Sequence, residues 1–338
     1  MSGEDVQPPA QPADCEIAVS LSTPNFDNFA FLGTAKEARV GDILYSYHRF
    51  GKAGSSRPAL VLIQGMGATQ YGWPATMLED IAKTREVVIF DNILAGLTVD
   101  TKAGERPLEL TVPLMARSCL DLIADLKLGT VPDVLGISMG GMVALWLAAH
   151  HGSAVGSIVA TATSYGKGAP EPEGGIDAML DHLSSAEALT DVSLLLPEGE
   201  KDPGFAALGL HIASLQYAAI PGFGGLPDAG YATAEGIIPP SEVAEGDRHV
   251  PRCILLGTHD KIFPAATSAK AATATPGSWL VNIEGSGHAP FLRDPRAFTQ
   301  HVLRFLDASK AEDKQTRLAL EAAAPPGCFA GLWRWGRH

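Results

Sequence analysis

Val134-Leu135-Gly136-Ile137-Ser138-Met139-Gly140-Gly141-Met142-Val143-Ala144-Leu145-Trp146-Leu147-Ala148-Ala149 is the stretch on which the reading of this chain turns. A short apolar run leads into Gly136-Ile137-Ser138-Met139-Gly140, and a long apolar segment follows at once. The pattern is strand, sharp turn, helix, with a serine at the tip. Such a turn strains the backbone at the serine, and small residues on both sides let strand and helix approach each other. The strain lifts the hydroxyl clear of the sheet, and the helix that follows aims its first amides at any negative charge formed there. The remainder of the chain then has to supply a histidine, an acid and further N–H donors.

Outward from the turn, short apolar runs recur. Ile43 to Arg49 is β-rich and is followed by a Gly/Ser turn at Gly51 to Ser56. Ala59-Leu60-Val61-Leu62-Ile63 ends in Gln64-Gly65, and Glu86-Val87-Val88-Ile89-Phe90 ends in Asp91-Asn92. Gly156 to Ala162, Cys253 to Leu256 and Trp279 to Ile283 complete the set. Continuous apolar runs of this length belong to strands covered on both faces. Helical patterns lie between them. Val112, Met115, Ala116, Cys119, Leu120, Ile123 and Leu126 share one face, with Gly129 as the stop, and Arg296 to Leu306 reads as a last helix. Strand and helix alternate, which predicts an α/β fold with a mostly parallel sheet covered by helices on both faces.

The alternation breaks over 164–248, a Gly-, Pro- and Ala-rich stretch with helical fragments at Ile176 to Leu183 and Gly204 to Ala219. It reads as an insertion over the sheet. Residues 1–38 read as a solvated N-terminal arm, 39–163 and 249–307 as the core, and 308–338 as a tail ending in Trp333-Arg334-Trp335.

The 338 residues carry a net charge of −13, which argues against nucleic acid, since phosphate binding needs clustered Lys and Arg. No apolar run reaches the roughly 18 residues of a membrane span. The N-terminus is acidic and Pro-rich, unlike a secretory signal, so an intracellular, cytoplasmic protein is expected. Cys15, Cys119, Cys253 and Cys328 are scattered without a C-x-x-C pair, so reduced thiols are expected and no metal site. No dinucleotide fingerprint and no phosphate loop occurs, and no cofactor is expected.

Four short segments fall at strand ends, where ligand sites of open α/β sheets collect. They are Gln64-Gly65-Met66-Gly67, the Ser138 turn, Gly257-Thr258-His259-Asp260-Lys261-Ile262-Phe263-Pro264, and Gly285-Ser286-Gly287-His288-Ala289-Pro290-Phe291. Ser, Asp and His follow one another, each after its own strand. On these motifs the stretch from Val40 to Leu306 resembles the α/β-hydrolase superfamily, in the branch that carries a helical cap before the penultimate strand. The resemblance implies that Ser138 is the nucleophile, His288 the base and Asp260 the acid. It implies too that the backbone N–H groups of Met66 and Met139 form an oxyanion hole. A serine hydroxyl is a weak nucleophile until a base takes its proton, and the acid fixes the imidazole tautomer.

Gly65, Gly67, Trp73, Tyr165, Phe223 and Phe291 are candidates for substrate contact, with packing in the core or cap the competing reading for Trp73, Tyr165 and Phe223. His259 reads as structural, the His150-His151 pair as capping a helix end rather than binding metal, His48 and His301 as structural or solvated, and Asp294 as a helix cap. The chain departs from the family pattern twice. Gln64-Gly65 stands where His-Gly is usual, and Asp91 to Thr98 lacks the arginine and one glycine of D-x-R-G-x-G-x-S. The function implied is hydrolysis of a small or medium carboxylic ester, lactone or thioester through an acyl-enzyme, with a small-molecule acyl substrate as the partner. C–C bond hydrolysis, cofactor-free perhydrolysis and a hydrolase-like small-molecule receptor are the alternatives that the same motifs allow.

Overall fold

The computed structural model describes residues 26–65, 68–93, 95–102, 111–163, 250–274 and 278–310. The expected cap over 164–248, the arm up to residue 25 and the tail from residue 311 lie outside the described residues.

The described residues build one nine-stranded sheet. Its strands are β1 (Lys36–Val40), β2 (Ile43–Gly51), β3 (Leu60–Ile63), β4 (Glu86–Phe90), β5 (Val99–Asp100), β6 (Asp133–Ile137), β7 (Ile158–Thr161), β8 (Arg252–Gly257) and β9 (Trp279–Ile283). They lie in the order β1-β2-β4-β3-β6-β7-β8-β9, with β5 paired to β2. β2 runs antiparallel to its neighbours, and every pair from β4 to β9 is parallel. Every residue of β3, β4, β6, β7 and β8 is buried, which is why these strands are unbroken apolar runs rather than alternating ones.

The helices are α1 (Ala75–Ala82), α2 (Val112–Leu126), α3 (Met139–His150), α4 (Ala265–Ala274), α5 (Pro290–Arg293) and α6 (Pro295–Lys310). Two apolar layers result. Met115, Cys119 and Leu122 of α2 and Met142 to Ala149 of α3 pack on one face of the sheet. Met77, Leu78 and Ile81 of α1 and Phe298, Val302 and Phe305 of α6 pack on the other. The connection from β3 steps sideways to β4, whereas the connection from β6 steps the opposite way to β7. Right-handed crossovers in opposite directions put α1 and α3 on opposite faces. A crevice therefore opens at the carboxyl ends of β3 and β6.

The sequence-based boundaries need three corrections. Residues 26–38 are not arm. Phe26–Leu32 is a 3₁₀ segment with Phe29 and Leu32 buried, and β1 pairs with β2 from Lys36. Burial of the two apolar side chains holds a segment too short to show a period. The last helix runs on to Lys310, past the expected end at Leu306, and there Lys310 Nζ reaches Asp133 at 3.1 Å. The α2 helix ends at a left-handed Lys127 (φ 48°), two residues before the expected glycine stop. Cys119 and Cys253 are buried as expected, and burial pushes the Cys119 thiol up to about 12. Among the described residues no helix is long and apolar enough to cross a membrane.

The amino edge of the sheet is closed by ions. Arg85, just before β4, meets Asp133, the first residue of β6, at 3.1 Å, and Asp307 of α6 at 3.3 Å. The Arg85 and Asp133 side chains are 1% and 0% exposed. Such a pair adds little net stability over an apolar pair, yet removing one partner strands the other charge. Asp133→Ala is expected to destabilise the fold by about 3–5 kcal/mol, read by urea unfolding; Arg85→Met is expected to do the same.

His48 in β2 and His301 in α6 are buried, and burial holds both imidazoles below their ordinary 6.5, with Lys36 and Arg304 adding to the effect respectively. The folded state thus binds these protons more weakly than the unfolded chain. Their contribution to stability is complete above pH 6.5 and is lost as pH falls below it. Unfolding free energies from pH 8 to about 5 are expected to decline, and the His48→Gln/His301→Gln variant to decline less.

Candidate active site

The carboxyl edge of the parallel strands gathers the motif residues. Ser138 follows β6 and sits at φ 55°, ψ −121°, a conformation that costs a non-glycine residue about 1–3 kcal/mol. Backbone bonds hold it there. Its N–H donates to Thr161 O at 2.9 Å, and its carbonyl accepts from Met142 N at 3.1 Å. The turn depends on bare backbone on both sides. A Cβ on Gly140 would overlap Ile63 O and lie 2.6 Å from Gln64 O, and one on Gly136 would overlap the Gly140 carbonyl. Residues 132–137 and 139–144 are all buried, whereas Ser138 is partly exposed. The serine is thus the point of this turn that a solute can reach. Gly65, at the end of β3, faces it closely: a Cβ there would lie 3.2 Å from Ser138 Cβ.

Asp260 and His288 are brought together by the loops after β8 and β9. His259 N donates to Ser286 O at 2.8 Å, and Gly285 N donates to Thr258 Oγ1 at 2.8 Å, so the loops are stitched to each other. His288 Nδ1 lies 2.9 Å from Asp260 Oδ2. A carboxylate accepts there, so Nδ1 carries the proton and Nε2 is left as the basic nitrogen. The other carboxylate oxygen, Oδ1, accepts from Ile262 N at 2.8 Å and Phe263 N at 2.9 Å. Both residues are buried, at 6% and 4% exposure, and the Phe263 ring stands 5.8 Å from the imidazole. The acid is therefore fixed by its own loop before it meets the histidine. His259, its neighbour, is exposed and turned to Thr258.

Met139 is the first residue of α3, so its N–H has no acceptor within the helix. Met66 and Gly67 lie outside the described residues, as do Tyr165 and Phe223. Trp73 and Phe291, read from sequence as candidate substrate contacts, are both buried and pack against each other. Trp73 has no exposed surface and packs at 5.1 Å against Phe291, which in turn packs edge-on against Phe298 of α6. Their size and apolarity serve the layer under the site. Asp294 caps α6 as expected, accepting from Ala297 N at 2.9 Å.

The two departures from the family pattern have a local explanation. Gln64 is 4% exposed and folds its amide against Gly72, where a Cβ would be 2.7 Å from Nε2. The glutamine thus fills the space beneath the loop. Asp91, at the end of β4, is a residue that the sequence reading left without a role. Its Oδ1 accepts from Gln70 N at 2.7 Å, and its Oδ2 accepts from Leu97 N at 2.9 Å and Gln70 Nε2 at 3.3 Å. Burial pushes this carboxyl above its ordinary 3.8, opposed by those three donors. One buried carboxylate thereby ties the loop after β3 to the loop after β4. Gly96 (φ 53°) presses on it so closely that a Cβ would overlap the carboxylate, and this is the one family glycine the loop retains. An aspartate at a strand end followed by a glycine five residues on was the available signal. Among the described residues no cluster of His, Cys, Asp and Glu is arranged to hold a metal ion.

The comparisons agree with this architecture. The chain is 26% identical over 294 residues to an uncharacterized protein of Mycobacterium tuberculosis, covering 81% of this chain and 83% of that one. It is 28% identical over 261 residues to a pimeloyl-acyl-carrier-protein methyl ester esterase of Neisseria meningitidis, covering 71% and 78%. Among solved structures, the enol-lactonase from Burkholderia xenovorans LB400 superposes with a TM-score of 0.64 at 22% identity, over 80% of this chain and all of that one. The model of the alpha/beta hydrolase family matches residues 60–301. With that match and this sheet, the chain belongs to the alpha/beta hydrolase family.

Proposed function

We propose that this protein is a serine hydrolase that cleaves small or medium carboxylic esters, lactones or thioesters through an acyl-enzyme. One observation carries the reading. A buried histidine is held by one nitrogen on a carboxylate that is itself fixed by two backbone amides, at the sheet edge that also presents a strained, partly exposed serine. The relatives named a methyl ester esterase and an enol-lactonase support the substrate class.

In this reading Ser138 Oγ attacks the acyl carbonyl while its proton passes to His288 Nε2. The imidazolium that forms is stabilised by Asp260, which stays ionised. The carbonyl oxygen becomes negative, and the N–H groups of Met139 and Met66 receive it. The C–O bond of the ester (or C–S of a thioester) breaks, and the leaving alcohol or thiol takes the proton from Nε2. Water then gives a proton to Nε2 and attacks the acyl-serine; the bond from the acyl carbon to Ser138 Oγ breaks, Oγ takes the proton back from Nε2, and the carboxylic acid departs.

Purified protein is expected to turn over p-nitrophenyl esters, and Ser138→Ala to abolish that turnover with an unchanged circular dichroism spectrum. Esterase activity that survives in Ser138→Ala would falsify the assignment. A finer test addresses the acid. Asp260→Asn keeps one oxygen for the amides of Ile262 and Phe263 but turns an NH₂ group toward Nδ1, favouring the wrong imidazole tautomer. Its kcat is expected to drop by about 10³–10⁴-fold, with stability little changed.

A further inference from the structure

We infer that Thr163 is a positioning residue for catalysis: its hydroxyl grips the carbonyl of Ser138 and thereby aims the Met139 amide at the substrate oxygen. The inference rests on the hydrolase reading above and gives it a component that the sequence motifs do not contain.

The geometry is direct. Thr163 Oγ1 donates to Ser138 O at 2.7 Å, a shorter contact than the 3.1 Å helical bond from Met142 N to the same oxygen. The peptide joining Ser138 to Met139 is trans, since no cis bond occurs in the described chain. In a trans peptide the C=O and N–H point in opposite directions from one rigid plane. Fixing the oxygen from one side therefore fixes the hydrogen on the other. The Ser138 residue is strained, so this plane needs holding more than an ordinary helix start would. Two donors on the carbonyl also polarise the peptide, which makes its N–H a stronger donor.

Thr163 is itself locked in place. It follows β7, after Ala162 at φ 46°, a left-handed turn in a residue that rarely adopts one. It is fully buried. Its own carbonyl accepts from Ser268 Oγ of α4 at 2.8 Å. Gly141 completes the fit. A Cβ there would lie 2.7 Å from Thr163 Cβ and 2.9 Å from both Cγ2 and Oγ1. The second glycine of Gly140-Gly141, which the nucleophile turn alone does not require, is thus the space in which the threonine sits. A β-branched side chain suits the role because few rotamers are open to it.

The test compares Thr163→Val, which keeps the shape and removes the hydroxyl, with Thr163→Ser, which keeps the hydroxyl. Both are assayed for kcat and KM on p-nitrophenyl esters and for affinity toward a boronic acid, whose tetrahedral adduct places an oxygen where the oxyanion forms. Loss of a whole oxyanion donor typically costs about 100- to 1,000-fold in kcat, so a misaimed one is expected to cost about 10- to 100-fold. Thr163→Val is expected to show that loss in kcat with KM unchanged and boronic-acid affinity weakened in parallel. Thr163→Ser is expected to recover most of both. Thr163→Ala serves as a second hydroxyl-free variant should the valine prevent folding. A folded hydroxyl-free variant with wild-type kcat overturns the inference, as does a loss confined to KM, or a serine variant no better than the valine. These outcomes are separate from failure of the hydrolase reading, which would appear as a wild type without turnover or an active Ser138→Ala, and would take this inference with it.

Discussion

The first turn of α3 lies against the end of β3 with no room for a side chain between them, and the site depends on that approach. Gly140 supplies the bare backbone at that contact, and Gly136 of β6 supplies it where the nucleophile strand meets the same turn. Once helix and strand meet this closely, the residue between them has to reverse the chain within one step. That residue is Ser138, and its positive φ is the consequence. The strain is held by the neighbours' hydrogen bonds and by burial of almost every residue of α3. Buried nearly all round, with only Trp146 and His150 reaching solvent, this helix cannot slide to relieve the turn.

The sheet divides its two edges between stability and chemistry. At the amino edge, Arg85, Asp133, Asp307 and Lys310 form a compensated ion cluster that ties β4, β6 and α6 together. At the carboxyl edge, polar groups are spent on loops. Asp91 joins the loops after β3 and β4, while Asp260 organises the loop after β8 before it meets His288. A carboxylate suits both places because it accepts several N–H groups at once without donating any. The reversal of strand order beside β3 then sets the Ser138 turn next to Gly65, at the crevice where substrates of such sheets enter.

Much of this was legible because each signal was local. Strands buried on both faces are apolar runs, so β3, β4, β6, β7 and β8 could be read directly. Ser138, Asp260 and His288 stood out because glycines and turn residues surround them at strand ends. What escaped notice depends on partners distant in sequence. β1 is five residues, Lys36–Val40, with one buried side chain, and only pairing with β2 makes it a strand. Asp91 is an ordinary strand-end residue until Gln70 and Leu97 close on it. Thr163 is one threonine among many until its hydroxyl, 25 residues away in sequence, reaches Ser138 O. Trp73 and Phe291 were ambiguous for the opposite reason: large aromatic rings suit a pocket wall and a core equally, and their contact with each other is visible only in three dimensions.

The sequence by itself determined the alternation of strand and helix, the order of the serine, aspartate and histidine, and the small residues that let the serine turn form. These follow from steric limits and periodicity within a few residues. The tertiary structure alone decided the strand order, the face each helix covers, the pairing of Asp260 with His288 and the hold of Thr163 on the Ser138 carbonyl. Those choices rest on which hydrogen-bonding and apolar groups meet when the chain closes on itself, and that depends on distances through space rather than along the chain.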